Sequence, residues 1–447
     1  MRLYAGAKDK YIEYEYSLKG NDYMLGCKLN LVNMNNIIAK NATELGLNWG
    51  MKTPSNEKDA VNERNASTAY FKYLEEEPDY ISERNDETKP INEAKIKWVA
   101  FKQQFFTSVL IADEHFEKIG ADITSVNEKP ESKYVKTFGT NLSVPYFGKD
   151  KESFGMKFYF GPNHFQTLKK IDGLNLEKQF PLGWGIFGWV NRFLVIPVFN
   201  FLDSFNLNYG LIILILTIIL KIILFPIAYK TYLGSAKMRI LKPEIDEIGK
   251  KYKDDAMKKQ QATMGLYKKA GVNPLAGCVP VLLQMPILIA LFSFFPASIE
   301  LRQQGFLWAD DLSTYDSVWD FGYVPIINYI YGDHVSLFSL LMVISTLIYT
   351  WSNSQLMGQN DQLPAMKYLI YIMPIMFLPI MNNYSAGLSY YYFLANMITF
   401  GQTLLMQRFI DQDALHRKIE ETKKKPVKVS RFQQRLEEMA KQRQKKK

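Results

Sequence analysis

Lys221 is the residue whose type and setting most directly imply chemistry. It sits in the stretch LIILILTIILKIILFPIAYK, Leu211 to Lys230, and is the sole charge between Leu211 and Tyr229. At 1.5 Å per residue, about 20 apolar residues match a hydrocarbon core about 30 Å thick, so the run reads as a membrane-spanning helix with the lysine near its middle. A charge at that depth costs from about 2.5 to more than about 10 kcal/mol, so such residues usually face a bundle interior or a wet cavity and mark function. The structural alternative is a lysine that snorkels to an interface or pairs with another polar group. Thr217, four residues earlier, shares its helix face. Gln284 interrupts the apolar run VLLQMPIL, and Tyr392, Asn396, Thr399 and Thr403 follow the 4, 3, 4 spacing of one helix face. Two such faces and Lys221 can enclose a wet groove, with Thr217, Gln284, Asn396 and water solvating the ammonium. Taken singly, each polar residue is equally served by a helix-to-helix hydrogen bond.

No catalytic constellation competes with this reading. His115, His164, His334 and His416 all lie outside the apolar runs and no HExxH occurs, so an intramembrane hydrolase is the least favoured reading. Cys27 lies in a water-soluble half and Cys278 in an apolar run, which leaves both as expected free thiols. The expectation is a protein that is not an enzyme, with no metal and no cofactor.

The elements that must position these residues follow from patterning. A net charge of +9 and 47% hydrophobic residues average over two unlike halves. Residues 1–180 are charged and contain no long apolar run. YIEYEY at Tyr11 to Tyr16, the turn Lys19-Gly20-Asn21-Asp22 and a second run from Tyr23 to Val32 predict a hairpin. Trp98 to Ile111 and Met156 to Phe160 read as further strands, and Thr53 to Lys95 as long loops. An antiparallel β-sandwich accounts for this half. Tyr11, Tyr14 and Tyr16 form an aromatic stripe, for which core packing is the preferred reading and a carbohydrate or peptide platform the alternative.

Beyond Pro181 the chain is a series of apolar runs. Leu182 to Leu202, within 181–207, is rich in Gly, Pro and Trp and reads as an interfacial amphipathic helix. Five spans follow within 208–410: Leu211 to Tyr229, Leu275 to Ala297, Val335 to Trp351, Tyr368 to Met381 and Leu388 to Gln407. The loop after the first span holds Lys230, Lys237, Arg239, Lys242, Lys250, Lys251, Lys253, Lys258, Lys259, Lys268 and Lys269. The loop from Ser298 to His334 holds Arg302 against Glu300, Asp310, Asp311, Asp316, Asp320 and Asp333. The basic loop is therefore cytoplasmic, and five alternating spans place the soluble domain outside and the C-terminus inside. Within 234–271, Ser235 to Lys250 and Ala256 to Ala270 are expected as a cytoplasmic helical hairpin. Its Lys237, Arg239, Lys250, Lys251, Lys258 and Lys259 would hold anionic lipid or dock a targeting receptor, ribosome or substrate. The basic tail 411–447 reads as disordered when free, binding lipid or ribosomal RNA.

KMRILKPEIDEIGKKY, GVNPLAGCVPVLLQMPI and GLSYYYFLAN resemble the corresponding motifs of the YidC membrane-protein insertase family, in the right order from Pro181 to Arg408. The soluble half resembles the periplasmic β-supersandwich of Gram-negative members. The resemblance implies an inner-membrane insertase and chaperone that guides nascent membrane proteins through a hydrophilic groove open to cytoplasm and lipid, alone or with the Sec translocon. It also implies an N-terminal anchor and a longer periplasmic domain, so the chain reads as truncated inside that domain. Bacterial members typically carry arginine where this chain has Lys221. The competing reading is a small-solute transporter using Lys221 as counter-ion, for which internal repeats are expected and none is found.

Overall fold

A computed structural model describes residues 1–253, 255–273, 279–357 and 364–424. The chain divides into two compact units. The first comprises Met1–Asn191, Ala290–Asp316 and Asn383–Gly387; the second comprises Arg192–Ile289, Ser317–Asn382 and Leu388–Lys447.

The first unit is built from antiparallel strands. β1 (Arg2–Tyr4), β2 (Tyr11–Leu18), β3 (Met24–Val32) and β4 (Glu44–Pro54) are followed by α1 (Ala60–Ala66). Next come β5 (Thr68–Tyr73), β6 (Asp79–Tyr80), β7 (Glu87–Pro90), β8 (Ile96–Lys102), β9 (Phe106–Asn127), β10 (Tyr134–Pro145), β11 (Lys151–Pro162) and α2 (Phe165–Lys169). One path runs β1-β2-β3-β11-β9-β8-β5-β6, while β10 pairs with β4 and β9, and β7 with β9. The 22-residue β9 belongs to both layers. Its first half pairs with β8 and β11 and its second half with β7 and β10. Between them the partner of β10 jumps from Asp122 to Glu117, a bulge that contains Gly120 at φ +65°. The layers enclose one core, where Phe101 stacks between Trp49 and Phe138 at 4.1 and 5.3 Å.

The predicted hairpin pairs Tyr11 with Val32 through Leu18 with Leu25. Tyr14 and Tyr16 share one face of the strand and Tyr11 lies on the other, because side chains alternate, and Tyr16 beyond the core edge is exposed. Tyr14 packs on the core, whereas Tyr11 lies with Tyr4 and beneath the Arg2 guanidinium. Trp98 to Ile111 is not one strand but parts of β8 and β9, reversed at Gln103-Gln104-Phe105. The expected long loops of Thr53 to Lys95 contain α1 and three strands. All six residues of β5 are buried, so both of its faces are covered and the alternation that signals a half-exposed strand is missing.

The helices of the remaining chain begin with α3 (Gly185–Val190), a π turn at Asn191–Val195 and α4 (Ile196–Asp203). Then follow α5 (Tyr209–Ile240), α6 (Lys242–Lys251), α7 (Ala256–Ala270), α8 (Val279–Phe294), β12 (Trp319–Asp320), α9 (Ile327–Ile330) and β13 (His334–Val335). The chain continues through α10 (Leu337–Met357), α11 (Pro364–Asn382), α12 (Ala386–Phe409) and α13 (Gln412–Lys424). The five long apolar helices α5, α8, α10, α11 and α12 carry the five predicted spans; the first residues of the second span lie outside the described residues. Among the described residues α5 and Gly185–Asp203 are long and apolar enough to cross by composition, the latter carrying a π turn at Asn191–Val195, whereas Gln284–Ala297, Leu337–Ser352 and Tyr368–Asn382 are shorter apolar helices.

The first arm of the hairpin is shorter than predicted. α5 runs on unbroken to Ile240, so Lys237 and Arg239 belong to its last turn, and the arm proper is α6 with Pro243 in its first turn. The start of the tail is ordered. Leu415 and Ile419, four apart on α13, bury one face, and Ile419 joins Met238, Leu241, Ile245 and Tyr267 in a small core. The charge density of this stretch masks so short an apolar period. Residues 425–447 lie outside the described residues.

Candidate functional site

Asn208 caps α5 by accepting from the Gly210 amide at 2.9 Å. Apolar side chains then carry the helix through Lys221 to Pro226, whose missing N–H leaves the Ile222 carbonyl without its helical donor. Half-buried, Lys221 donates from Nζ to Thr399 Oγ1 at 2.8 Å and to Gln284 Oε1 at 3.2 Å. Each acceptor is oriented by a second bond. Gln284 Nε2 donates to Tyr391 Oη at 2.9 Å, and Thr399 Oγ1 donates to the Ala395 carbonyl at 2.6 Å. An ammonium from α5 is therefore held by an amide from α8 and a hydroxyl from α12. Both partners are neutral, and among the described residues no carboxylate pairs with it.

The other members of the polar stripe do different things. Thr217 is fully buried and returns its hydroxyl to the Ile213 carbonyl at 2.6 Å, satisfying itself within α5. Asn396 turns to α10, donating to Ser345 Oγ at 3.2 Å and Thr346 Oγ1 at 2.8 Å. Thr403 caps the Thr399 carbonyl at 2.8 Å. Tyr392 stacks edge-on against Tyr391, with ring centroids 6.0 Å apart. Of the predicted set, Gln284 and Thr399 thus meet Lys221; Thr217, Asn396 and Tyr392 do not. Helical spacing identified the face but not which flank the neighbouring helix meets, so Tyr391 was missed.

Thr399 also lines a cavity of about 400 Å³. α5 contributes Thr231, Tyr232, Ser235 and Arg239 to its wall, α10 contributes Tyr349, and α12 contributes Gln402 and Thr403. Gln412 and His416 of α13 complete it. Polar and basic groups thus continue from the Lys221 cluster along the basic end of α5. Of the predicted hairpin residues, Arg239 alone reaches this cavity. Lys258 instead pairs with Asp255 at the start of α7, where the Asp255 carboxylate caps the helix and the bond from the Lys258 backbone N–H holds its carboxyl below the usual range. Lys250 and Lys251 close α6, favourably placed against its dipole.

Comparison with known proteins covers both halves. Residues 1–197 match the family model described as YidC periplasmic domain, and residues 201–413 the model described as 60Kd inner membrane protein. The membrane protein insertase YidC of Parabacteroides distasonis is 45% identical over 449 residues, covering 98% of this chain and 70% of that protein. The Bacteroides fragilis protein of the same name is 41% identical over 454 residues, covering 99% and 72%, and that of Porphyromonas gingivalis 38% over 445 residues, covering 97% and 71%. A crystal structure described as an active YidC insertase with its first transmembrane domain resolved aligns at a TM-score of 0.38 and 20% identity, over 90% of this chain and 74% of that one. On the two family models and these identities, the chain belongs to the YidC membrane-protein insertase family.

Proposed function

We propose that this protein is an inner-membrane insertase and chaperone that guides nascent membrane proteins into the bilayer, with the Lys221 cluster and the adjoining cavity as its substrate groove. The observation that carries this reading is an ammonium inside an apolar bundle whose partners, Gln284 and Thr399, are neutral side chains able to exchange for an incoming group. A cavity that mixes polar and apolar lining and runs from the Lys221 cluster towards the basic end of α5 shortens the distance over which a polar segment must be dehydrated. A fixed cation beside it favours an acidic tail. Thr217, Tyr392 and Asn396 support the groove from behind through packing and interhelical bonds. The relatives' shared name supports the same activity, and no observation favours solute transport.

The basic loop of α6 and α7 faces the cytoplasm by the positive-inside rule, with the β-domain periplasmic and the C-terminus cytoplasmic. Gly185–Asp203 lies along the interface, where the exposed Trp184 and Trp189 suit the headgroup region. Lys237, Arg239, Lys250, Lys251, Lys258 and Lys259 recruit lipid or a targeting receptor, and the tail 411–447 the ribosome. The Sec translocon is a further partner.

Reconstituted vesicles and a single-span substrate with an acidic translocated tail test the reading. Lys221→Arg retains insertion, whereas Lys221→Ala and Lys221→Glu lose it most for acidic tails. Solute uptake without insertion by the parent protein overturns the function. Equal handling of acidic tails by the alanine variant overturns the role of the charge.

A further inference from the structure

Between α8 and α10 the chain carries FGYVPIINYIYG, Phe321 to Gly332, without a charged residue, bounded by Asp320 and Asp333. Its surface is unusually apolar for a loop. Tyr329 is 96% and Tyr323 82% exposed, and Trp319, Ile326, Ile327 and Ile330 are exposed with them. Ile326 holds φ at +72°, a sign that β-branched residues rarely adopt. The loop is not loose at its base. Trp319 pairs with Val335 and Asp320 with His334 across β12 and β13, and the Phe321 amide donates to the Asp333 carbonyl at 3.0 Å. Asn382 at the end of α11 donates from Nδ2 to the carbonyls of Tyr331 at 3.0 Å and His334 at 2.9 Å, and the buried His334 ring meets the Asn382 carbonyl at 2.9 Å.

These bonds fix where the apolar tip can be. β13 ends at Val335 and the membrane helix α10 begins at Leu337, while Asn382 is the last residue of the membrane helix α11. The loop is therefore tethered by two span ends, at the level where the bilayer surface must lie. Contiguous exposed apolar patches mark contact with protein or membrane. Here tyrosine, tryptophan and isoleucine without charge, on a base continuous with two spans, match the composition of the headgroup boundary. We propose that Phe321–Gly332 is a monotopic anchor whose aliphatic and aromatic side chains seat in the headgroup and acyl boundary of the bilayer. The flanking carboxylates stay in water, as the exposed Asp333 side chain requires.

The test uses the full chain in phosphatidylcholine–phosphatidylglycerol proteoliposomes with Cys27→Ala and Cys278→Ala. An environment-sensitive fluorophore is attached at Tyr329→Cys or, as a water-facing control, at Glu131→Cys on the exposed turn before β10. Because Tyr329 packs against almost nothing, its replacement leaves the fold alone. Doxyl-labelled lipid is expected to quench the label at 329 roughly two-fold or more above the control, and aqueous iodide correspondingly less. Combining Ile326→Ser, Ile327→Ser and Ile330→Ser should return the label towards the control. Equal quenching at 329 and 131 by both agents overturns the proposal and makes the patch a protein contact. Unchanged lipid quenching in the triple variant also overturns the assignment of the isoleucines. Neither readout depends on insertion activity, so failure here leaves the insertase reading standing.

Discussion

In the β-domain, Lys136 donates to the carbonyls of Ser67 and Glu83, each at 2.7 Å, and Lys102 to that of Ala66 at 2.8 Å, whereas Lys221 in the helical bundle donates to the side chains of Gln284 and Thr399. Ala66 and Ser67 close α1, where the carbonyls have no helical donors left and the dipole favours a cation. Those acceptors are fixed by backbone and cannot leave without unfolding α1. The acceptors of Lys221 sit on rotatable side chains. A buried ammonium on backbone carbonyls is therefore a strut, and one on side chains is a site that can change partners.

The largest expected effect tests the strut. Lys136 is wholly buried, and burial pushes its ammonium down to about 8, with the Glu83 and Asp86 carboxylates partly opposing. The unfolded chain keeps the ordinary lysine value of 10.5, so between about pH 8 and 10.5 it binds more protons than the folded chain. Stability of the β-domain should therefore rise with pH across that window, by at most about 1.4 kcal/mol per unit. Lys136→Met should flatten the slope and, by leaving two carbonyls unpaired, cost about 1–3 kcal/mol at pH 7.5. Denaturant unfolding of the full chain, followed by tryptophan fluorescence, measures both. A slope that survives in the methionine variant assigns it elsewhere, with Lys102 next, since burial pushes that group down as well.

Next in size is the exchangeable lysine. Charge-assisted bonds are worth about 1.5–3 kcal/mol, so Lys221→Ala should slow insertion of an acidic-tailed substrate by roughly ten-fold or more. β-domain unfolding should not move. A parallel loss of stability in that domain would break the contrast, because Lys221 would then be a strut too. Tyr391→Phe is milder. It removes the hydroxyl that accepts from Gln284 Nε2 and should cost about 1 kcal/mol, read as a few-fold slower insertion at unchanged expression.

How far the sequence foretold these sites depends on what each residue does with its polar atoms. Lys221 was legible because a charge about ten residues inside an apolar run is too costly to leave unused, even against the alternative of snorkelling, and Gln284 and Thr399 because they interrupt apolar helices. Thr217 stood on the right face, but a threonine in a helix can bond its own preceding turn, and this one does. Tyr391 was illegible as one of three consecutive tyrosines, Tyr390 to Tyr392, each presenting a different face. In the β-domain, the hairpin of β2 and β3 was read from alternation. β5, TAYFKY, was not, because Thr68 and Lys72 look polar in sequence while their hydroxyl and ammonium reach carbonyls inside the fold. Polar residues mislead where the backbone satisfies them.

The smallest expected effect concerns α13, which composition alone assigns to a disordered tail. Its ordering has two sources: Ile419 in the core formed by α5, α6 and α7, and Lys423, which reaches Glu244 of α6 at 2.6 Å and Glu420 at 2.8 Å. Glu244 and Glu420 are each more than two-fifths exposed, so water screens the pairs and they hold the helix only weakly. The buried isoleucine contributes more, because its side chain is almost wholly removed from water. Lys423→Ala should therefore leave α13 docked, with amide exchange over Gln412–Lys424 only a few-fold faster and more so at low salt. Ile419→Asp should release it and open the wall of the cavity that Gln412 and His416 complete. Hydrogen exchange on the full chain in nanodiscs separates the two. If the alanine variant exchanges as fast as the aspartate one, charge and not packing holds the helix, and what the composition of this stretch conceals is an ion pair instead of a short apolar period.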